Sequence, residues 1–266
     1  GKGTARRESA GWIMTGDYFD GADCLRARGL RVDHAILRGR PADQIVTDIR
    51  AHRPDIVIVG NRGHSTLDRM LLGSVSGEVV DQSPVPVLVA RRATLARVVV
   101  AVDGSDVASE AVDAIRGWPF LSGTEIRVLS VAPNPVGWRA GLTPGSGNEH
   151  AGDFANARAS SVADHQRFAT EAADRLRSVG LDARPEARAG VAADGIVAFA
   201  TEWDADLVIL GSHGRTGLAR LVLGSVARNV LHHATCSVLI VRRHAEPRLV
   251  GEPALGVPAW SLGASH

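Results

Sequence analysis

One stretch of this chain is written twice. Residues 206–226 read DLVILGSHGRTGLARLVLGSV, and residues 55–75 read DIVIVGNRGHSTLDRMLLGSV. The match extends without a gap from 22–92 onto 173–243. Numbers differ by 151 throughout, with identities such as Leu25/Leu176, Gly29/Gly180, Gly39/Gly190, Asp43/Asp194, Arg69/Arg220 and Leu88/Leu239. A period this long does not suit a solenoid and describes two copies of one domain. The fold must therefore be one that the same order of elements can build twice.

In the second copy the stretch opens with an apolar run, Leu207 to Leu210, that stops at Gly211. A short run bounded by glycine suits a strand buried on both faces. Gly211 and Gly214 let backbone approach a ligand closely, since no Cβ intervenes. Gly224-Ser225-Val226 then opens a helix whose free amides and dipole favour an anion. The pattern describes a phosphate cradle or, more plainly, two tight turns and a serine N-cap. Gly60, Gly63, Gly73 and Ser74 repeat it in the first copy.

Around these motifs strands alternate with helices. Helices are expected over about 11–28, from Pro41 onward, and over 74–81, 105–118, 155–178, 192–201 and 225–233. Strands are expected over 34–37, 55–59, 85–89, 98–102, 125–131, 183–187, 206–210 and 237–241, and Pro86 marks its strand as an edge or a bulge. Residues 1–10 read as frayed, 91–96 as a linker, 133–153 as a mobile loop, and 244–266 as a disordered tail. Alternation of this kind gives a doubly wound parallel sheet with right-handed crossovers and helices on both faces. Ligands in such sheets sit at the carboxyl ends of strands where strand order reverses. Asp103 and Gly211 each end a buried strand at that margin, which couples them as one candidate site.

Composition narrows the chemistry. The chain has 266 residues, is 45% hydrophobic and 4% aromatic, and carries a net charge of +1, so no global field recruits nucleic acid or an acidic membrane. Two cysteines, Cys24 and Cys236, argue for a reducing compartment and against a disulfide framework or thiolate metal site. No transmembrane run or signal segment stands out, and a cytosolic protein is expected. Of 30 basic residues, Lys2 is the only lysine. Walker-A nucleotidases, protein kinases and pyridoxal enzymes each require a lysine in a defined context that Lys2 lacks. The ten histidines show no metal spacing, and no catalytic triad is identifiable.

The strand-Asp-Gly-Ser segment at Val98–Ser105, with G-x-x-G, nine residues, then G-S at Gly211–Ser225, resembles the universal stress protein family. Residues 96–243 resemble its domain throughout, and residues 1–92 only its later part, so the chain looks like a tandem protein with an incomplete first domain. The resemblance implies a five-stranded, adenine nucleotide alpha hydrolase-like fold and a subgroup that holds ATP, expected here with magnesium. Carried onto this sequence, Asp103 takes the ribose hydroxyls and Val131 meets adenine. Backbone at Gly211, His213, Gly214 and Arg215 lines the triphosphate, and Gly224, Ser225 and Val226 bind it from the helix N-terminus. Gly60, Gly63, Gly73 and Ser74 imply weaker phosphate binding in the first copy. Plainer roles stay open: Asp103 as a helix starter, Arg215 and Arg220 as solvated charges, His213 paired to a carbonyl.

The expected function is a cytosolic, ATP-binding stress-response regulator with little or no turnover. A slow ATPase using the same cradle and a non-binding dimerisation module are the alternatives. Self-association is expected between domains or chains through the last strands, 85–89 and 237–241, with neither nucleic acid nor membrane as a partner. Counterparts of residues 97–151 are missing from the first copy, so its strand near Asp55 lacks a neighbour, and the chain reads as a fragment of a longer protein.

Overall fold

The computed structural model describes residues 5–8, 11–14, 20–33, 35–61, 72–134, 151–214 and 223–242. The tail from 244 and most of the segment 133–153 lie outside these residues, as do Gly63 and Arg215. The chain divides into two units, Gly1–Gln44 with Ala245–His266, and Ile45–His244.

In the first unit β1 (Ala5–Glu8) and β2 (Gly11–Met14) pair antiparallel, with Ala5 opposite Met14 and Glu8 opposite Gly11. Helix α1 (Asp20–Ala27) follows and is closed by Gly29 at φ +81°. Of the helix expected over about 11–28, Gly11–Met14 are strand instead and Asp20–Ala27 are helical. Trp12 and Ile13 favour a pleated strand over a helical turn. Helix α2 (Pro41–His52) starts on its proline as expected and crosses from this unit into the next.

The second unit is one mixed sheet. Its strands are β3 (Val57–Gly60), β4 (Val87–Ala90), β5 (Arg97–Ala101), β6 (Glu125–Ala132), β7 (Asp182–Ala189), β8 (Leu207–Gly211) and β9 (Ser237–Val241). They lie in the order β3-β4-β9-β8-β5-β6-β7. Every pairing is parallel except β4 with β9. The helices are α3 (Ser74–Gln82), α4 (Asp106–Ile115), α5 (Ala151–Arg177), α6 (Ala192–Glu202) and α7 (Ser225–His233).

Strands β5 to β9 and helices α4 to α7 build the complete second copy. On one face Val98, Val100, Ile126, Val128, Leu207 and Ile209 pack with Val112 and Ile115 of α4 and with Ala169, Ala173 and Leu176 of α5. On the other, Val131 meets Gly195 of α6, which neighbours α7. Strand order turns between β5 and β8: the chain moves outward through β6 and β7, then returns to the opposite side of β5. Val85-Pro86-Val87 had suggested an edge strand, yet β4 lies inside the sheet. Pro86 sits just before the strand, where its missing N–H costs no ladder bond and its carbonyl still accepts from Val57 N at 2.9 Å. Of the strand expected over 34–37, the described residues 35–37 have no regular structure. The corresponding positions of the second copy lie in β7, which pairs with β6.

The last strands of the two copies meet in the antiparallel ladder, Val87 opposite Ile240 and Val89 opposite Val238. Two arginines related by the duplication cross this junction in opposite senses. Arg91 donates to Leu231 O (2.6 Å) in the last turn of α7 and to Cys236 O (3.2 Å) just before β9, and its Nε donates to Asn61 (3.0 Å). Arg242 donates to Val80 O (2.5 Å) and Asp81 O (2.9 Å) at the end of α3. Each guanidinium satisfies the terminal carbonyls of the other copy's last helix, at the negative end of its dipole. Burial lowers both pKa values from the usual arginine range, without discharging either group. Between α3 and α7 a cleft of about 290 Å³ is lined by the related pairs Leu72/Leu223, Gly77/Arg228 and Asp81/His232.

Asp206, 7% exposed, ties the segment before β5 to the sheet. It accepts from Thr94 Oγ1 (2.5 Å), Ala96 N (2.7 Å) and Arg97 N (3.0 Å). The Thr94 hydroxyl first, then the two amides, hold its carboxyl below the ordinary 3.8 against the opposing effect of burial. A carboxyl whose pKa falls on folding stabilises above its unfolded pKa and loses that contribution as pH drops through the folded value. Asp206→Asn should therefore be less stable at neutral pH and show a shallower loss of stability below about pH 4. Denaturant melts across the acid range check this; identical acid profiles for variant and wild type would refute it.

Candidate functional site

The site grows from the ends of β5 and β8, the adjacent strands at the turn in strand order. After β5 the chain passes Val102 and Asp103 to Gly104, which has φ +75°. A Cβ there would lie 2.7 Å from the ring of Phe168 on α5, so both conformation and space demand glycine. Ser105 is the N-cap of α4, accepting from Ala108 N at 3.2 Å. Its own N–H (3.0 Å) and hydroxyl (2.5 Å) both donate to Asp103 Oδ1. Asp103 thus braces the capping serine, and this holds its carboxylate in one orientation.

The other oxygen of that carboxylate faces the glycine loop. A Cβ on Gly214 would stand 2.6 Å from Asp103 Oδ2. Two residues far apart in sequence are therefore brought into contact at the carboxyl edge of the sheet, and any side chain at 214 displaces the carboxylate. Gly211, ending β8, is closed in by Val107 Cγ1 and His213 O, at 3.2 and 3.3 Å from a built Cβ. His213 shares a 3.1 Å contact with the Ser212 hydroxyl through Nδ1, and its Nε2 is buried without a hydrogen-bond partner among the described residues.

The second glycine pair folds back on this loop. Gly224 N donates to Ser212 O at 2.8 Å, and a Cβ at 224 would meet Ser212 O at 3.2 Å and His213 Cα at 3.4 Å. Gly224, not Ser225, is the N-cap of α7, and no side chain caps it. The same holds for Gly73 on α3. The serine N-cap reading is thereby corrected: Ser225 and Ser74 are the first helical residues, one position too late to cap. Among the described residues no side chain caps the start of α7, and both Ser225 and Val226 are exposed.

Val131, the last residue but one of β6, is 7% exposed and has its side chain turned onto Gly195. Sequence reasoning missed the support beneath Asp103. The fully buried Ser130 hydroxyl donates to Val102 O at 2.8 Å and touches His165 Nδ1 at 2.8 Å. With its one proton on Val102, Ser130 accepts from His165, which fixes the proton on Nδ1. His165 stacks edge-on against Phe168, the ring that closes on Gly104. No local pattern marks these three residues; only the packing of α5 on β5 and β6 assembles them.

In the first copy the frame of the loop is the same. Gly73 N donates to Asn61 O at 2.8 Å, and Asn61 N to Ala90 O at 3.2 Å, matching Gly224 to Ser212 and Ser212 to Val241. Gly60, ending β3, accepts from the Ser76 hydroxyl at 2.6 Å, a bond that Ala227 cannot make in the second copy. No described residue stands where Asp103 stands in the second copy.

The universal stress protein family matches this sequence twice, at residues 5–91 and 94–242. The chain belongs to that family. The two matches fall on the two copies of the repeat. YxiE of Bacillus subtilis is 30% identical over 151 residues, spanning 55% of this chain and 98% of that protein. A universal stress protein of Mycolicibacterium smegmatis is 28% identical over 229 residues, 83% of this chain and 72% of its own. Shorter matches span 38% of the Methanocaldococcus jannaschii protein MJ0531 and 52% of Sll1388 of Synechocystis, so the chain covers about half or less of those relatives. A universal stress protein structure from Archaeoglobus fulgidus shares the fold with a TM-score of 0.55 at 22% identity, over 84% of this chain and 74% of that one. Among the described residues no helix is long and apolar enough to cross a membrane.

Proposed function

We propose that the second copy binds ATP, with magnesium carried on its phosphates, as a cytoplasmic regulatory module of the stress response with little or no turnover. The observation that carries this reading is the contact of Asp103 with Gly214 across the turn in strand order. It sets an oriented carboxylate, an acceptor for two hydroxyl donors, beside a loop in which side chains are excluded. The donor set fits a nucleotide. Asp103 would hold the ribose, amides at Gly211–Gly214 and the uncapped start of α7 would hold the phosphates, and His213 Nε2, without a hydrogen-bond partner among the described residues, adds a polar group at the loop. No lysine stands at this site to stabilise charge developing on a transferred phosphoryl group, which favours holding over hydrolysis.

Nucleotide extracted from freshly purified protein should be ATP. Chromatography of the extract, with calorimetry of the emptied protein, measures this. No ATP in the extract and none bound by the emptied protein would overturn the reading. Multiple-turnover ADP release abolished by Asp103→Ala would replace it with the ATPase.

A further inference from the structure

Two buried side-chain nitrogens of the second copy lack a hydrogen-bond partner among the described residues: His213 Nε2 and Arg242 Nε. Arg242 is 8% exposed, and Ser212, which precedes the histidine, is 4% exposed. The duplication shows which way the arginine nitrogen faces. In the first copy Arg91 donates from Nη2 to Leu231 O at 2.6 Å and from Nε to Asn61 Oδ1 at 3.0 Å. The counterparts of Arg91, Leu231 and Asn61 are Arg242, Val80 and Ser212. Arg242 Nη2 likewise donates to Val80 O at 2.5 Å. The backbone frame is shared as well, with Asn61 N donating to Ala90 O at 3.2 Å and Ser212 N to Val241 O at 2.9 Å. With both ends of the arginine placed alike, Arg242 Nε–H faces the side chain of residue 212. There the serine oxygen stops one bond short of where the asparagine amide oxygen would stand.

The serine turns this arrangement to another use. Its hydroxyl lies 3.1 Å from His213 Nδ1. A hydroxyl has one proton, and a cationic N–H facing its oxygen turns that proton away. Among the described residues Nδ1 is the acceptor within reach, so Ser212 donates and Nδ1 accepts. A neutral imidazole that accepts at Nδ1 carries its proton on Nε2. We infer that Arg242 and Ser212 are positioning residues, which hold His213 as an Nε2–H donor toward an anionic oxygen in the glycine loop. The anion is the phosphate chain of the nucleotide proposed above, and the assignment rests on that reading. Had Nδ1 carried the proton, Nε2 would present a lone pair and repel the same oxygen. The first copy has no such chain of groups. Asn61 takes the Nε–H bond on an amide oxygen, with no hydroxyl proton to pass on, and Arg62 stands in place of the histidine.

Nitrogen NMR spectra of the ligand-free full chain test the tautomer, and calorimetry with ATP tests its use. The expected wild-type spectrum has the His213 proton on Nε2. Ser212→Ala should shift the His213 Nδ1 and Arg242 Nε signals together and leave Arg91 Nε in place. ATP affinity should fall about tenfold in Ser212→Ala, the scale of one hydrogen bond to a charged acceptor. His213→Gln supplies an amide N–H that needs no tautomer set, so adding Ser212→Ala to it should cost no further affinity. A serine that merely supports the loop would cost the same in both backgrounds. A proton on Nδ1 in the wild type, an Arg242 Nε signal indifferent to Ser212→Ala, or an equal cost in both backgrounds would each overturn the inference. A wild type that binds no ATP faults the nucleotide reading instead, because the spectra decide the roles of Ser212 and Arg242 without ligand.

Discussion

Gly224→Val is expected to lower ATP affinity by about a hundredfold, about 2.7 kcal/mol. The added Cβ would meet Ser212 O at 3.2 Å and His213 Cα at 3.4 Å, both backbone atoms of the other glycine loop. That loop cannot yield as a flexible side chain would, so loop and helix start must part. The amides they present then no longer converge on one anion. The branched γ-carbons also crowd the start of α7, where phosphate would approach. Calorimetry against wild type is the measurement, with Gly73→Val as the internal control. The control changes the equivalent position of the first copy and should leave affinity unchanged. Equal affinity for Gly224→Val and wild type would show that the cradle is not where the nucleotide binds.

Arg242→Ala is expected to destabilise the chain by about 2–4 kcal/mol, the scale of losing buried bonds made by a charged group. Arg242 is 8% exposed and reaches carbonyls at the end of α3, so its removal leaves Val80 O and Asp81 O facing the protein without that donor. Arg91→Ala removes the reciprocal bonds to Leu231 and Cys236 together with the one to Asn61. The double variant should unfold in two urea transitions where the single chain unfolds in one. A cost under about 0.5 kcal/mol for either substitution, the range of ordinary surface changes, would remove the arginines from the account of how the copies hold together.

Much of this was legible before any coordinates. The ungapped repeat carried the fold, because strands as apolar as 207–210 and 237–241 declare themselves by composition alone. The coupling of Asp103 with the glycine loop followed from the rule that ligands gather where strand order turns. What escaped was whatever depends on a distant partner. The described residues 35–37, expected as part of a strand, have no regular structure, whereas the corresponding positions of the second copy lie in β7 beside β6. Pro86 looked like an edge signal and proved to lie one residue outside an interior strand. The glycine cap at 224 was hidden by the serine beside it, and Ser130, His165 and Phe168 by their separation along the chain.

The ladder joining β4 to β9 has a consequence for how the halves diverged. Between separate chains such a pairing obeys mass action and, in a homodimer, imposes every substitution on both sides of the axis at once. Tethering through residues 91–96 sets the local concentration of each half near the other, about millimolar for a short linker, and lifts that constraint. The cleft on the axis records the result. Arg228 reaches Asp81 at 3.1 Å, and these positions in the opposite halves are Gly77 and His232. A first copy meeting itself would set Asp81 against glycine, and a second copy meeting itself would set Arg228 against histidine. Only the unlike pairing makes the ion pair. Exposed as it is, the bridge adds little stability, but it discriminates between partners, and the discrimination is written into a surface that symmetry would have kept identical.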